Sequence, residues 1–599
     1  MRGFFLGLGT ILIVGGVGMY FVQDSMPQWK YDTIDAVQSF DNELHIFENI
    51  DDEVWRTISR KINKLPSFYP FSNLKISMFE VPKIFNTIND LKSLDFTINL
   101  SDKSEMKTEE FFQAFKYIDQ IDDSLITIEK KIRGIWDWMV PEKYKKVRDD
   151  KLKQLAKARK KIKEVKDFEN IFRNFAKNKE RVLVILQNEN EPRSSGGFMG
   201  SFFMVDFSRK NIKWEFRDIY SIDRQIPERI QIPAPEFFHG LSKTISLRDA
   251  NIYPDFPTSA GKIREFIAYA GEKSPDTIIV INTSIIREIL KITGPVKLDR
   301  WGLVLDQYNF DLGLSFLVES KVAGRYDVKS PVMIFAQELL KSLQGSLRKN
   351  FAGFKEFDYK SFIAGKNILA NSENKQLQKL FQNWKLDGKL AKKRDANNFL
   401  QFDFVSVGAN KSEKFVWTKI VHNSEISADG KVKNTLKITR NHSLRNGEIR
   451  ELLDTNLWSQ NIRELLTEDI LWKLGAGQNR TILRVSVPNS AKLLTQKNPS
   501  GQISAKKSEI GSFQVFEIPM YVVPGEKLNI SLEYETEIEQ GSHNWRPYFL
   551  QMVGTPARQK TSFLETISTK DNGKFAAETY NIGKPVNLID QDFRAVIKF

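Results

Sequence analysis

The feature that most constrains the fold of this 599-residue chain is its N-terminal run from Gly3 to Val22, which has 20 consecutive uncharged, mostly apolar residues. As a helix rising ~1.5 Å per residue, this run would just cross a hydrocarbon core of ~30 Å. Arg2 flanks one end and Asp24 the other, a charge bias that favours a cytoplasmic N-terminus. A cleaved signal peptide would have a shorter apolar core and an Ala-x-Ala site. We therefore predict an uncleaved anchor over residues 1–23 of a single-pass cell-membrane protein whose bulk is extracytoplasmic.

Length and composition limit the architecture and the chemistry of the rest. A chain of this length should hold about three or four units of roughly 150 residues each. Its apolar content of 41% and aromatic content of 12% are sufficient for packed cores. The absence of cysteine excludes disulfides, thiolate metal sites and cysteine nucleophiles. The five histidines show no ligand spacing, which argues against a zinc site.

Residues 24–178 are predicted to form a helical stem, because apolar residues recur there at three- and four-residue steps. Positive charge is concentrated at residues 142–166, where 12 Lys or Arg accompany four acids. Outside the cytoplasm, the available polyanions are lipid headgroups and anionic cell-surface polymers, so we expect these partners and no nucleic acid. A solvated helix face explains the same charge equally well.

Residues 179–400 are predicted to form an α/β domain. Branched apolar runs at residues 181–187 and 276–282 indicate buried strands. A helix is predicted from Ser259 to Ala270. The strand at 276–282 is then followed by a helix from Ser284 to Ile292 and a short strand at 296–298, an order typical of a βαβ unit.

Residues 401–599 are predicted to form a β-sandwich with a core of its own, because short alternating segments there are separated by turn residues. The predicted fold is therefore multidomain, with a transmembrane helix, an α-helical stem, a central α/β domain and a C-terminal all-β sandwich. The predicted strands of the last part lie at 414–421, 431–439, 480–487, 513–518, 527–535, 548–553 and 593–599.

The candidate site lies in the stretch from Arg181 to Ile222, interpreted as strand, glycine loop, strand, turn and strand. Gly196 and Gly197 can present successive N–H groups to an anion, and arginine forks suit phosphate groups. Carboxylates nearby could hold a magnesium ion that keeps several waters. The predicted ligand-binding residues are Arg193, Gly196, Gly197, Arg224 and Arg248, the predicted catalytic residues are Arg217 and Asp218, and the predicted Mg²⁺ ligands are Asp218, Asp223 and Asp249.

A structural role explains the same residues as well as a ligand site does. The Arg217-Asp218 and Arg248-Asp249 pairs can serve as internal ion pairs, and the glycines can simply turn the chain. No Walker loop, Gly-x-Ser-x-Gly elbow or His-Glu-x-x-His motif occurs. The region from Asp249 to Ala260 lacks the glycine and the closing glutamate of a calcium loop.

The most specific motif of the chain is Gln187-Asn-x-x-Glu191-x-Arg193-x-x-Gly196-Gly197-Phe198-x-Gly200. Shorter motifs follow it at Arg217-Asp218-Ile-Tyr, Arg248-Asp249-Ala-Asn, Asp255-Phe-Pro, Gly294-Pro-Val and Asn410-Lys411. Together these motifs resemble a bacterial membrane-anchored family known as domain of unknown function number four thousand and twelve. This family has no settled activity.

A more distant resemblance is to the LytR-CpsA-Psr phosphotransferases, carried by Arg193-Ser-Ser-Gly196 and Phe216-Arg217-Asp218. That resemblance implies arginines on the pyrophosphate of a polyprenyl-linked glycopolymer and aspartates on magnesium. The chain departs from that family at Ser195-Gly196, where the enzymes have Asp-Thr. Two functions therefore stay open: binding or transfer of a lipid-linked pyrophosphate glycopolymer, and a non-enzymatic cell-surface, adhesion or envelope-assembly role.

Overall fold

The computed structural model describes most of the chain beyond residue 102. The described residues are 80, 83, 84, 86, 87, 90, 103–134, 142–324, 330–349, 366–390, 398–427, 430–445, 449, 464–508, 513–537, 548–553, 561–571, 574–578 and 593–597. The predicted anchor at residues 3–22 lies outside them. Within these ranges no helix is long and apolar enough to cross a membrane.

The chain divides into two compact units, and each combines separate stretches of sequence. The first contains residues 1–180, 205–215 and 340–357, and the second contains residues 181–204, 216–339 and 358–599. The predicted multidomain architecture with helices and several sheets is thereby confirmed. The four predicted domain ranges stay predictions.

Two long helices form most of the described part of the first unit. Strand β1 (Lys103–Lys107) leads into helix α1 (Thr108–Arg133), and α2 (Glu142–Asn178) follows. The buried residues of α1 recur at three- and four-residue steps, as the sequence predicts for this stem. Acids on α1 accept ion pairs from the basic helix α2, as Arg159–Glu129 and Lys166–Asp122 show, both at 2.7 Å.

Strands and helices alternate from residue 181 to residue 383. The strands are β2 (Arg181–Arg193), β3 (Gly196–Phe207), β4 (Asn211–Asp218), β5 (Ile232–Pro233), β6 (Thr244–Ile245), β7 (Thr277–Asn282), β8 (Val296–Leu298), β9 (Leu303–Leu305) and β10 (Ile368–Ser372). The helices are α3 (Tyr220–Asp223), α4 (Phe256–Tyr269), α5 (Ser284–Thr293), α6 (Phe310–Glu319), α7 (Ser330–Lys349) and α8 (Lys375–Asn383).

The main sheet of this region has the order β4-β3-β2-β7-β10. Strand β7 pairs in parallel with β2 over Val182 to Gln187 and antiparallel with β10. Every residue of β7 is buried, because neighbouring strands flank it on both sides and its branched side chains pack on both faces. The predicted βαβ unit of residues 276–282, 284–292 and 296–298 is wrong, because β8 pairs antiparallel with β9 in a separate two-stranded sheet. The parallel partner of β7 is instead β2, and α4 lies between these two strands in sequence.

Two details differ from the sequence prediction. The predicted glycine loop is a hairpin, in which β2 continues to Arg193 and a two-residue turn leads directly into β3 at Gly196. Helix α4 begins at Phe256, three residues earlier than predicted, because the Asp255 side chain caps it by accepting the Thr258 N–H at 3.1 Å.

The C-terminal part is a sandwich of two six-stranded sheets, ordered β16-β17-β14-β11-β19-β22 and β15-β18-β13-β12-β20-β21. Side chains alternate between buried and outward positions along β12 and β13, and the inward apolar residues of both sheets form one cluster. The strands are β11 (Asn398–Ser406), β12 (Val416–Ile426), β13 (Lys431–His442), β14 (Asn479–Val487), β15 (Lys492–Lys497), β16 (Ser504–Lys507), β17 (Gln514–Val522), β18 (Lys527–Glu537), β19 (Tyr548–Val553), β20 (Thr561–Asp571), β21 (Lys574–Glu578) and β22 (Phe593–Ile597). A short helix, α9 (Glu468–Leu471), precedes β14.

Candidate functional site

The hairpin between β2 and β3 is buried, and a neighbouring segment holds its turn. The Ser195 N–H donates to the Asn251 carbonyl oxygen at 3.1 Å, and the Ser195 hydroxyl donates to the Tyr253 carbonyl oxygen at 2.7 Å. The Asn251 amide nitrogen donates to the Gly197 carbonyl oxygen at 2.7 Å. These hydrogen bonds satisfy polar groups of the buried turn and fix the turn against residues 251–253.

Both motif glycines allow neighbouring atoms to lie where a side chain would otherwise begin. Gly196 has φ +137°, and a Cβ there would lie 2.0 Å from Gln187 Oε1 and 2.8 Å from Asn282 Oδ1. A Cβ on Gly197 would lie 2.2 Å from the Asn188 carbonyl oxygen. The two residues are buried at the start of β3. Their predicted role as an anion nest stays a prediction, whereas their packing role follows from these distances.

Polar side chains collect where the parallel pairing of β2 and β7 ends. Gln187 and Asn282 are register partners at this edge, and both are 1% exposed. Four buried atoms near the hairpin have no hydrogen-bond partner among the residues that the structure describes: Gln187 Nε2, Ser194 Oγ, Asn251 Oδ1 and Asn282 Oδ1. Ligands of α/β sheets commonly bind at the carboxyl ends of the strands. Sequence reasoning missed Gln187 and Asn282 as a pair, although each directly ends a branched apolar run.

An ion-pair chain links four of the predicted site residues. Arg193 donates to Asp249 Oδ1 through Nε at 3.0 Å and through Nη2 at 2.8 Å. Arg248 Nη1 donates to Asp223 Oδ2 at 2.7 Å, and Arg248 Nε lies 3.7 Å from Asp249 Oδ2. The Arg193 side chain is 2% exposed and the Arg248 side chain is 32% exposed. Of the two arginines in this ion-pair chain, Arg248 is therefore the one that a solute can reach.

The remaining predicted residues lie elsewhere. Arg217 pairs with Glu272 at 2.8 Å rather than with Asp218. Asp218 Oδ1 accepts the Tyr220 N–H at 3.3 Å, at the start of α3. Arg224 is exposed just after α3. The structure thus joins Arg193 and Arg248 through Asp249, while Arg217 is paired separately.

The predicted magnesium ligands have other partners. Asp223 accepts the Leu247 N–H at 2.8 Å as well as the Arg248 guanidinium, and Asp249 accepts from Arg193. Burial raises the pKa of Asp223, while Arg248 opposes that shift. In the part of the chain that the structure describes, no group of three or more His, Asp or Glu is placed to hold a metal ion. A magnesium ion at Asp218, Asp223 and Asp249 stays a prediction.

An aromatic rim borders the exposed end of the ion-pair chain. The Arg248 guanidinium lies 5.1 Å from the centre of the Tyr220 ring, which is 6.4 Å from the Phe198 ring. Tyr220 is 37% exposed. Burial raises the pKa of Tyr220 to about 12, which moves its ionisation further above neutral pH than in an ordinary tyrosine. The rim offers a hydrogen-bond donor, a ring face and a cation, and no activated nucleophile.

A second charged cluster, which sequence reasoning missed, joins β2 to the segment before β12. Lys411 Nζ lies 3.1 Å from Glu191 and 2.6 Å from Glu319. Burial alone would lower the pKa of Lys411, but the two carboxylates reverse the effect and raise it. Lys414 pairs with Asp311 nearby. Glu191 and Lys411 both belong to the quoted motifs, and their opposite charges were the available clue.

The matched family covers much of this region. Residues 177–311 match the family model "Protein of unknown function (DUF4012)". The match includes the hairpin, the ion-pair chain and β7, and it confirms the resemblance to a domain of unknown function over these residues. No curated protein matches the chain.

Proposed function

We propose that the protein is a single-pass, membrane-anchored, extracytoplasmic envelope protein that uses a degenerate phosphotransferase-like fold as a non-enzymatic scaffold. The observation that carries this proposal is the internal pairing of the motif arginines. Arg193, Arg217 and Arg248 each form an ion pair of 2.7–2.8 Å with a carboxylate of the same chain. A pyrophosphate cradle requires guanidinium groups that a ligand can neutralise.

Location and partners rest on the sequence. The apolar run at residues 3–22 supports the anchor, and the basic residues at 142–166 support contact with lipid headgroups or an anionic cell-surface polymer. The absence of Asp-Thr at Ser195-Gly196 supports a scaffold over a transferase, because a metal-ligating carboxylate is missing where LytR-CpsA-Psr enzymes have one.

One observation favours a second candidate function, the binding or transfer of a polyprenyl pyrophosphate-linked glycopolymer. Arg248 keeps about a third of its side chain exposed beside the partly exposed Tyr220 ring. A guanidinium and a ring face at one surface suit a pyrophosphate and the sugar attached to it. In this alternative the buried Arg193 positions Asp249, which in turn orients Arg248.

The two functions are separated by measuring melting temperature and binding of a polyprenyl pyrophosphate analogue on the full chain in detergent. The variants are Arg217→Ala, Arg248→Ala and, as a control on an exposed arginine, Arg229→Ala. The scaffold function predicts no saturable binding by the unmodified protein or by any of the three variants. It also predicts that Arg217→Ala lowers the free energy of unfolding by about 1–3 kcal/mol, because Glu272 loses its partner.

Saturable binding by the unmodified protein would contradict the scaffold. If Arg248→Ala then weakened binding roughly tenfold or more while Arg229→Ala did not, the pyrophosphate site would be supported, since a charge-assisted contact contributes about 1.5–3 kcal/mol. Unchanged binding in Arg217→Ala with a large fall in its melting temperature would assign Arg217 a structural role.

A further inference from the structure

The outer face of the sheet β15-β18-β13-β12-β20-β21 has a regular pattern of exposed side chains. Strands β12, β13 and β18 are adjacent, and their register aligns outward residues in rows across the sheet. The first row is Trp417, Asn441 and Lys527, the second is Lys419, Thr439 and Asn529, and the third is Val421, Lys437 and Ser531. Since rows lie ~7 Å apart and strands ~4.8 Å apart, these nine positions form one continuous surface.

Charge divides this face into two halves. Lys419, Lys437 and Lys527 are all exposed in the first three rows, and no acidic residue takes an outward position there on these described strands. The next rows contain carboxylates, and Lys433 pairs with Glu533 at 3.2 Å. The positive half therefore has cations that are not matched by acids across the strands. Strand spacing places the three lysine Cα atoms ~8 to ~14 Å apart.

An exposed indole borders the positive half. Trp417 is 53% exposed, although its strand neighbours Val416 and Thr418 are buried. A large aromatic ring at the surface presents a rigid apolar face at a small cost in conformational entropy. Thr439, which donates to Asn529 at 3.0 Å, and Asn441 add groups that can hydrogen-bond to hydroxyls.

We propose that this lysine face, defined by Trp417, Lys419, Lys437 and Lys527, binds an acidic polysaccharide. A pyranose ring has an apolar C–H face that can stack on the indole, hydroxyls that suit Thr439 and Asn441, and in uronic acids a carboxylate for the lysines. An open sheet face suits an extended chain rather than a ligand that needs a deep pocket. The choice of a polysaccharide rests on the proposed extracytoplasmic function, whereas the surface itself does not.

The test measures the dissociation constant of the full chain in detergent for immobilised polygalacturonate, with neutral dextran as the reference polymer. The double variant Lys419→Gln/Lys437→Gln is compared with Lys431→Gln/Lys433→Gln, two exposed lysines on the same sheet outside the lysine face, of which Lys433 pairs with Glu533. We expect about tenfold weaker binding in the first and little change in the second, since each exposed contact is modest. Trp417→Ala should weaken binding by a similar factor.

Several results would overturn the proposal. These are equal weakening in both lysine pairs, equal binding to neutral dextran, absence of binding to polygalacturonate, or tighter binding to RNA or to anionic lipid vesicles. Failure here is distinguishable from failure of the scaffold, because the scaffold is tested on Arg217 and Arg248 with a different ligand.

Discussion

Gly197 illustrates how one atom constrains the hairpin. Alanine there would place Cβ 2.2 Å from the Asn188 carbonyl oxygen, so the backbone of β2 would have to move. We expect Gly197→Ala to lower the unfolding free energy by about 2–4 kcal/mol. Gly261→Ala is the control, because its Cβ meets nothing within 4 Å on the exposed side of α4 and should stabilise by about 0.5–1 kcal/mol. Denaturant titrations that gave equal effects for the two variants would contradict this account.

At the residue scale, the sequence predicts which residue types matter but not their partners. Arg193 and Asp249 are 56 positions apart in sequence, and Arg217 and its partner Glu272 are 55 positions apart. Neighbours in sequence suggested Arg217-Asp218 and Arg248-Asp249 pairs. Of these two pairs, the structure brings together Arg248 and Asp249, with 3.7 Å between Nε and Oδ2. Pairing depends on how strands and loops meet in space, which neighbours in sequence do not reveal.

At the element scale, the inner face of β13 contains a charge that the β-sandwich has to neutralise. Arg440 is fully buried, where it pairs with Glu413 and donates to Thr418 Oγ1 at 2.9 Å and Asn479 Oδ1 at 2.8 Å. Arg440→Met should cost about 3–5 kcal/mol, because Glu413 would stay buried without its cation. The double variant Arg440→Met/Glu413→Gln should recover part of the loss. Thermal unfolding measures both, and a double variant less stable than the single one would contradict this explanation.

Inward-pointing polar residues also explain why β13 and β2 end later than the sequence pattern predicts. Alternation predicted a strand at 431–439, whereas β13 continues to His442 because Arg440 and His442 point inward although they are polar. In the hairpin, Asn, Glu and Pro are typical of turns, so the strand was predicted to stop at Gln187. It continues to Arg193 because Glu191 and Arg193 are paired with residues far away in sequence.

At the scale of the molecule, the sandwich was predicted to have a core separate from the α/β part. The second unit contains both parts, and Val405 and Val407 of the β11 region pack in the apolar cluster of the α/β part. A chain truncated after Asp395 would lose these residues and also Lys411, the cation of Glu191. We expect it to lose cooperative unfolding in calorimetry. A single sharp transition near that of the full chain would instead support an independent core.

The secondary-structure type of the helical, α/β and all-β parts was predictable, because burial imposes a regular spacing of apolar residues on each helix and strand. The order of strands was not, since pairing between distant segments leaves no local pattern. Strands β19 and β20 show this, as each pairs in parallel with a strand more than 100 residues earlier, β11 and β12 respectively.

That late pairing has a consequence for how the chain is made. Until residues 548–571 have left the ribosome, β11 and β12 each have one edge without its neighbour. Such edges invite pairing with other chains, and β11 contains Phe399, Phe402 and Phe404. The growing protein therefore has two unfinished sheets while about 150 of its 599 residues are made, from the end of β11 and β12 to β19 and β20, and this interval is when it most needs chaperones.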